Sequence, residues 1–300
     1  MPGCGPLHFV VILICAVVFG PAGPAKADKL KVVASFSILG DLTAKVGGAD
    51  IELTTLVGPN GDAHTYEPKP DDQRALAAAG LLVANGFGFE PWLGRLKEAS
   101  GFEGATVIAT DGVAPLTMTA VGESQKVTDP HAFQSLANAE IYVANILQGL
   151  AAADPAHAAN YRANAQQLTG EIQALNREIT GEIAAVPVEN RRILTSHDAF
   201  QYFGKAYGIE FLAIQGVSTE AEPSAADLAK LADQVTREKV KAIFLENMSN
   251  PALAKTIATE TGVPVGGELY ADALSEADGP AADYLKLFRY NVGAILKLLQ

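Results

Sequence analysis

Three histidines of this chain lie where an imidazole could take part in binding. His64 lies in the loop-like stretch GDAHTYEPKP, which follows a strand-like run, and His131, in VTDPHAFQS, opens a helix after the fourth such run. His197, in ILTSHDAFQYFG, lies at the carboxyl end of the first strand-like run of the second half. In open parallel sheets, ligands bind beyond the carboxyl ends of the strands. The three imidazoles would therefore meet if the two halves of the chain face each other.

A fourth ligand could come from either of two carboxylates in the second half. Asp272, in ELYADALSE, lies just beyond the last strand-like run, and Glu246, in FLENMSN, ends the neighbouring run. Three imidazoles and one carboxylate suit tetrahedral zinc, whereas manganese and calcium favour more oxygen ligands. Each residue alone also has an ordinary structural explanation, and Asp129 and Asp198 could be turn or capping residues. From these residues alone, a metal site and unrelated polar strand ends both stay open.

Short β-like runs alternate with longer helical ones in two blocks of the chain. The strand-like runs are 29–37, 51–58, 81–86 and 105–110 in the first block, and 191–196, 210–216, 240–247 and 263–270 in the second. Most are rich in Val, Ile or Leu, as buried parallel strands are. This alternation predicts a β/α unit with a mainly parallel sheet in each block.

A long helix-forming stretch separates the two blocks. Residues 156–185 contain two glycines and no proline, and as one helix they would be ~45 Å long at 1.5 Å per residue. Pro155 fits the first helical turn, and His157 is expected to be an unengaged surface residue. We therefore predict an α/β fold of two β/α lobes, each with a four-stranded sheet, with the candidate site in the cleft between them. The predicted boundaries are 28–154 for the first lobe, 155–186 for a spine helix and 187–300 for the second lobe.

The first 27 residues have the pattern of a secretory signal. The run LHFVVILICAVVFG (7–20) is apolar but short for a membrane span, which needs about 20 residues. Residues 25–27 read AKA, an A-x-A cleavage pattern. We expect cleavage after Ala27 and export to the periplasm, which also removes His8.

The exported chain would be acidic and free of cysteine. Both cysteines, Cys4 and Cys15, lie in the signal, so neither disulfides nor thiolate ligands are expected. Loss of Lys26 reduces the basic residues from 22 to 21 against 34 acidic ones, and the formal charge changes from −12 to −13. Such a charge disfavours nucleic acid as a partner.

Together, these motifs resemble the periplasmic solute-binding proteins of zinc and manganese ABC importers, also called cluster A-I or cluster 9 receptors. The resemblance spans about 28–300 and rests on AHTYEPKPDD, DPHAF, TSHDAFQYFGKAYGI, and GGELYADALSE followed by DGPAADYLKLFRYN. It implies two β/α lobes joined by one long, rather rigid helix. The ligands of one metal in the cleft would then be His64, His131, His197 and Asp272. The implied partner is a membrane permease, and we expect the receptor to be a monomer.

Position 197 helps to distinguish metals among such receptors. Manganese and iron receptors that resemble this chain usually carry Glu there, so His197 indicates Zn²⁺ as the transported ligand, with Mn²⁺ (or iron) as the alternative. One feature departs from the zinc pattern. Many zinc receptors carry a His/Asp/Glu-rich loop before the second histidine, whereas residues 115–129, PLTMTAVGESQKVTD, contain no histidine.

Two other classes of protein are alternatives to a binding protein. Catalytic zinc sites hold three protein ligands and keep one position open for water, so a zinc-dependent hydrolase with Asp272 as the base is one alternative. The chain contains no H-E-x-x-H motif, and a fourth ligand from Asp272 would close the site, so we expect no enzyme. A surface adhesin is the other class, and neither repeats nor an exposed anchor supports it.

The signal prediction is tested by the intact mass of the exported protein. We expect a chain that begins at Asp28, because the A-x-A pattern ends at Ala27. A lipid anchor on Cys15 is a weaker interpretation than a cleaved secretory signal. Ile14 stands where a bacterial lipoprotein signal needs a small residue. A mass that includes a diacylglyceryl group on Cys15 would contradict the prediction.

Overall fold

The computed structural model describes residues 1, 3, 5, 28–119, 126–220 and 223–300. The predicted signal with its cleavage site falls outside the described residues, apart from the three isolated positions near the N-terminus. Across the described ranges, no helix combines the length and the apolar character that crossing a membrane would require.

The N-terminal lobe is built around a four-stranded parallel sheet. Its elements are β1 (Leu30–Phe36), α1 (Ser37–Gly47), β2 (Ile51–Val57), α2 (Pro70–Ala77), β3 (Leu81–Ala84), α3 (Leu93–Ser100) and β4 (Ala105–Ile108). The strands lie in the order β2-β1-β3-β4. The central strand β3, of sequence LLVA, is buried at every position, as expected for a parallel strand covered on both faces. All four strands predicted in this half are confirmed.

The C-terminal lobe repeats this topology. Its elements are β7 (Arg192–Thr195), α6 (Gln201–Tyr207), β8 (Glu210–Ala213), α7 (Ala225–Arg237), β9 (Ala242–Glu246), α8 (Ala252–Thr261), β10 (Val265–Leu269) and α9 (Tyr284–Leu299). The strand order is β10-β9-β7-β8, again all parallel. In both lobes the chain therefore starts in a central strand, adds one strand on one side and then two on the other. This reversal of winding direction creates the crevice where α/β sheets bind ligands.

A short hairpin in the N-terminal half was not predicted from the sequence. Strands β5 (Thr117–Thr119) and β6 (Lys126–Thr128) pair antiparallel. Each strand has only three residues and is largely polar, so neither has the apolar run by which the other strands are recognised.

Two long helices, α4 (Leu136–Ala153) and α5 (Ala158–Ala184), connect the two lobes along the chain, and a 3₁₀ turn from Pro155 to His157 separates them. Helix α5 has 27 residues, about 40 Å at 1.5 Å per residue. Its buried positions follow a spacing of three and four residues: Ala158, Tyr161, Ala165, Leu168, Ile172, Leu175, Ile179 and Ile183. This stripe packs against α1 and α4 of one lobe and α6 and α9 of the other. The predicted spine helix is therefore present, and each of its fully buried Leu and Ile side chains stabilises the fold by about 1.5–3 kcal/mol.

One apolar core runs continuously through both lobes. It includes Val33 of β1, Ile172 of α5, Phe203 of α6 and Phe288 of α9. A second, smaller cluster lies beneath α7 and α8 on the far side of the C-terminal sheet. Because the larger core includes the spine and the inner sides of both lobes, separation of the lobes would have to break buried apolar packing.

We therefore expect metal loading to change the shape of the protein only slightly. Small-angle scattering of the metal-free and loaded forms should give radii of gyration that differ by a few per cent, both near the ~19 Å of a compact chain of about 270 residues. A large contraction on loading, as in receptors whose lobes are joined by flexible strands, would contradict a rigid spine.

Candidate metal centre

The four residues proposed as ligands lie together between the two lobes. His64, His131, His197 and Asp272 each contribute one nitrogen or oxygen atom to a group in which all these atoms lie within 4.8 Å of one another. The Nε2 atoms of His64 and His131 are 3.2 Å apart. Oδ2 of Asp272 lies 3.2 Å from Nε2 of His64 and 3.1 Å from Nε2 of His197. All four side chains are buried, and His64 is the most exposed of them at 4%.

Each ligand candidate lies in a connection that follows a strand. His64 lies between β2 and α2, and His131 directly precedes the 3₁₀ turn that leads into α4. His197 follows β7, and Asp272 lies between β10 and α9. Each lobe thus supplies two side chains, and the cluster exists only where the two crevices meet.

The loop of His64 is held by local polar and aromatic contacts. The backbone N–H of His64 donates to Oδ1 of Asp62 at 2.8 Å, a turn that Asp favours. Nε1–H of Trp92 donates to the carbonyl oxygen of Ala63 at 2.8 Å. The ring of Phe89 meets the imidazole of His64 edge-on, with 4.7 Å between the ring centroids. These contacts limit where the imidazole can point.

Two buried carboxylates lie behind the other two imidazoles. Oδ1 of Asp129 accepts hydrogen bonds from both the backbone N–H and the ring Nδ1–H of His131, at 2.9 and 2.8 Å. Oε1 of Glu246 accepts from the backbone N–H of His197 at 2.9 Å, and its Oε2 bonds the ring Nδ1 of the same residue. Glu246, the sequence alternative to Asp272 as the fourth ligand, therefore lies outside the cluster of converging atoms.

These charges set the protonation of the cluster. Burial lowers the pKa of His131, but Asp272 and Asp129 outweigh it and raise that pKa to about 9. Burial also lowers the pKa of His197, yet Glu246 and Asp272 raise it well above its usual value. For His64 burial prevails over Asp272 and lowers the pKa. Burial would raise the pKa of Asp272, but His131 and His197 hold it well below the usual range.

The geometry fits a divalent cation. Around tetrahedral zinc, with Zn–N bonds of about 2.0–2.1 Å, neighbouring ligand atoms lie about 3.3 Å apart, close to the 3.2 Å between the Nε2 atoms of His64 and His131. Oδ1 of Asp272 is buried without a hydrogen-bond partner, and a buried carboxylate oxygen needs one. A cation bound between these atoms would supply it.

Polar contacts also join the lobes around the cluster. Nε2–H of Gln134 donates to the carbonyl oxygen of Ala271 at 2.5 Å, next to Asp272 in the chain. The backbone N–H of Asn60 donates to the carbonyl oxygen of Leu274 at 2.9 Å. These contacts could not be predicted from local sequence patterns, because each pairs residues more than 130 positions apart.

His157 is engaged, so the expectation that it would be a free surface residue is wrong. Its Nδ1 bonds Oδ2 of Asp154 at 2.6 Å, and its Nε2 lies 3.8 Å from Oδ1 of Asp50. The hydrogen bond to Asp154 raises the pKa of His157. The residue links the turn before α5 to Asp50, which ends the 3₁₀ turn over residues 48–50. It lies outside the group formed by His64, His131, His197 and Asp272.

The two lobes have the same strand topology, and four buried side chains that could bind a metal lie between them. This arrangement defines a two-lobed substrate-binding protein. The chain matches the family described as zinc-uptake complex component A, periplasmic (ZnuA), over residues 32–298. It belongs to that family.

Three relatives illustrate the metals found in related proteins. The chain is 31% identical to a manganese ABC transporter substrate-binding lipoprotein, PsaA of Streptococcus mitis, over 96% of this chain and 95% of the relative. It is 31% identical to the iron-binding protein YfeA of Yersinia pestis, over 90% of this chain and 86% of the relative. The solved structure of the periplasmic zinc-binding protein TroA from Treponema pallidum superposes with a TM-score of 0.84 at 26% identity, covering 90% of this chain and 99% of that one.

The chain is therefore a periplasmic metal-binding receptor of an ABC importer, and its partner is a membrane permease. Its relatives are substrate-binding transport proteins and not enzymes. The hydrolase alternative, with Asp272 as a base, is accordingly set aside.

Metal uptake should release protons well above the pH at which free histidines titrate. With its pKa raised to about 9, His131 carries a proton at pH 7.5 in the metal-free arrangement, and a metal can bind only after that proton leaves. Glu246 and Asp272 raise the pKa of His197 in the same direction. We expect protons to be released when the metal binds and affinity that continues to rise until about pH 9. Calorimetry in buffers of different ionisation enthalpy measures this, and heats independent of the buffer would contradict it.

Proposed function

We propose that this receptor captures Zn²⁺ in the periplasm through His64, His131, His197 and Asp272 and delivers it to the permease. The observation that carries the proposal is the third imidazole, that of His197, in a buried group of four converging ligand atoms. Zinc accepts three histidine nitrogens and one carboxylate oxygen in tetrahedral geometry. A closed set of four ligands suits capture and transport, since it leaves no open position for a reacting water.

The choice of zinc follows from the chemistry of the ligands. Imidazole suits zinc, copper, iron and nickel, whereas carboxylate, carbonyl and water ligands suit manganese, calcium and magnesium. The group offers nitrogen from three of its four members and has one carboxylate, Asp272. All four side chains are buried, which disfavours a metal that needs several added water ligands.

A manganese or iron receptor is the second candidate. It is favoured by relatives named as manganese-binding and iron-binding proteins at 31% identity over most of the chain. Family membership is compatible with all three metals, and position 197 is where we expect them to differ.

The proposal also includes the mature N-terminus, the lobe boundaries and the oligomeric state. We propose a mature chain that begins at Asp28 after cleavage at Ala27. Its lobes would span 28–154 and 187–300 and be joined by a spine over 155–186. We also propose that it acts as a monomer, since one chain supplies all four ligand candidates.

Metal choice is tested by His197→Glu in competition titrations with Zn²⁺ and Mn²⁺. The substitution replaces a neutral nitrogen ligand with an anionic oxygen donor, which suits manganese better. We expect the affinity for manganese to rise relative to that for zinc, while zinc still binds, as the Irving–Williams order requires. An unchanged ratio would show that His197 does not select the metal.

Two further variants control this experiment. His197→Ala removes a ligand and supplies none, so it should weaken zinc binding without favouring manganese. His157→Ala lies outside the cluster and should leave the affinity for both metals as in the parent, although it removes the bond to Asp154.

A further inference from the structure

Glu246 holds His197 in a way that differs from the contact between Asp129 and His131. Two different oxygens of Glu246 accept from His197, one from the backbone N–H and one from the ring Nδ1–H. A single oxygen of Asp129 accepts both bonds from His131, and its other oxygen, Oδ2, is buried without a partner. Glu246 therefore needs both of its oxygens as acceptors, whereas Asp129 needs only one.

This contact determines which ring nitrogen of His197 faces the metal. A carboxylate can only accept hydrogen bonds, so Glu246 keeps the proton of the neutral ring on Nδ1 and leaves the lone pair on Nε2, the atom that converges with Asp272. In metal sites, such a partner fixes the tautomer and orientation of the imidazole and raises its basicity. The bond to the backbone N–H holds the carboxylate against the same residue.

The contact also belongs to one lobe only. Glu246 ends β9, and His197 follows the neighbouring strand β7, so the pair does not depend on any contact across the cleft. His64 differs, because within the described part of the chain its Nδ1 has no hydrogen-bond partner and its Nε2 contacts lie with His131 and, across the cleft, Asp272.

We infer that Glu246 is a positioning residue that holds Nε2 of His197 ready for the metal, an inference that rests on the proposed function. Asp129 acts similarly on His131 through one oxygen. His64, without such a partner, is the ligand whose ring orientation is least constrained by hydrogen bonding.

The test compares two substitutions that remove the same charge, Glu246→Gln and Asp129→Asn. At Glu246 each oxygen meets a different His197 donor. A glutamine in the same position has one acceptor oxygen and one NH₂ group, so it cannot accept from both. Its NH₂ must face either the backbone N–H or Nδ1, and the second arrangement moves the ring proton to Nε2, where it blocks the metal. An asparagine at 129 can keep both hydrogen bonds through its one oxygen.

We expect Glu246→Gln to weaken zinc binding about 10- to 100-fold, and Asp129→Asn to weaken it clearly less. In a His197→Ala background, Glu246→Gln should cause no further loss, because it acts through the missing ring. Equal losses for the two amide variants, or the same loss from Glu246→Gln with and without His197, would overturn the inference. Asp198→Asn, which removes a nearby carboxylate bonded to Gln201, should stay close to the parent.

A measurement on the parent protein loaded with Co²⁺ tests the inference without relying on the folding of any variant. Paramagnetically shifted NMR signals of the ring N–H protons should show slow exchange with water for His131 and His197, and faster exchange for His64. Fast exchange at His197 would overturn the positioning role. A parent that binds neither Zn²⁺ nor Co²⁺ would instead overturn the proposed function itself, so the two failures are distinguishable.

Discussion

The structure depends on keeping three imidazoles and a carboxylate buried in one small space. Burial of an isolated charge costs far more than a folded protein can tolerate, so buried charges must be paired or must bind a metal. Here Asp272 lies against the imidazoles, while Asp129 and Glu246 bond two of the rings from behind. The result is a buried site rich in negative charge that a divalent cation neutralises better than protons do. This excess of buried negative charge, rather than any single side chain, is what favours binding of a cation.

The two lobes satisfy this constraint by their topology. Each sheet has the same strand order, and in each the winding direction reverses between the first and third strands in chain order, β1 and β3 or β7 and β9. Ligands bind at such a reversal in α/β sheets. His197 follows β7 and Glu246 ends β9, so the proposed ligand and its proposed positioning residue come from the two strands that flank the reversal. The shared core and α5 then hold the two crevices face to face, which lets side chains from both lobes meet with little reorganisation.

Much of this arrangement could be predicted from the sequence, because local patterns of apolar and helix-forming residues determine it. Eight apolar runs gave the eight strands of the two sheets, and a stretch without proline gave α5. The positions of His64, His131 and His197 after strands showed where they could converge, and the family resemblance indicated Asp272 rather than Glu246 as the fourth member. The hairpin of β5 and β6 escaped prediction because its strands are short and polar. The role of Glu246 escaped it because a strand-end carboxylate can be a ligand or a ligand's partner, and only the register of β9 beside β7 decides. The contact of His157 with Asp154 spans three residues but depends on the geometry of a turn.

The most direct test of the account is X-ray absorption spectroscopy of the purified receptor loaded with one equivalent of zinc. We expect four ligands, with three imidazole nitrogens at about 2.0–2.1 Å and one carboxylate oxygen at about 2.0–2.2 Å. Multiple scattering from the rings should count three histidines, and substitution of Asp272 by Ala should remove the protein oxygen. A six-coordinate shell dominated by oxygen, or a spectrum with fewer than three imidazoles, would contradict the claim that these four side chains hold the metal.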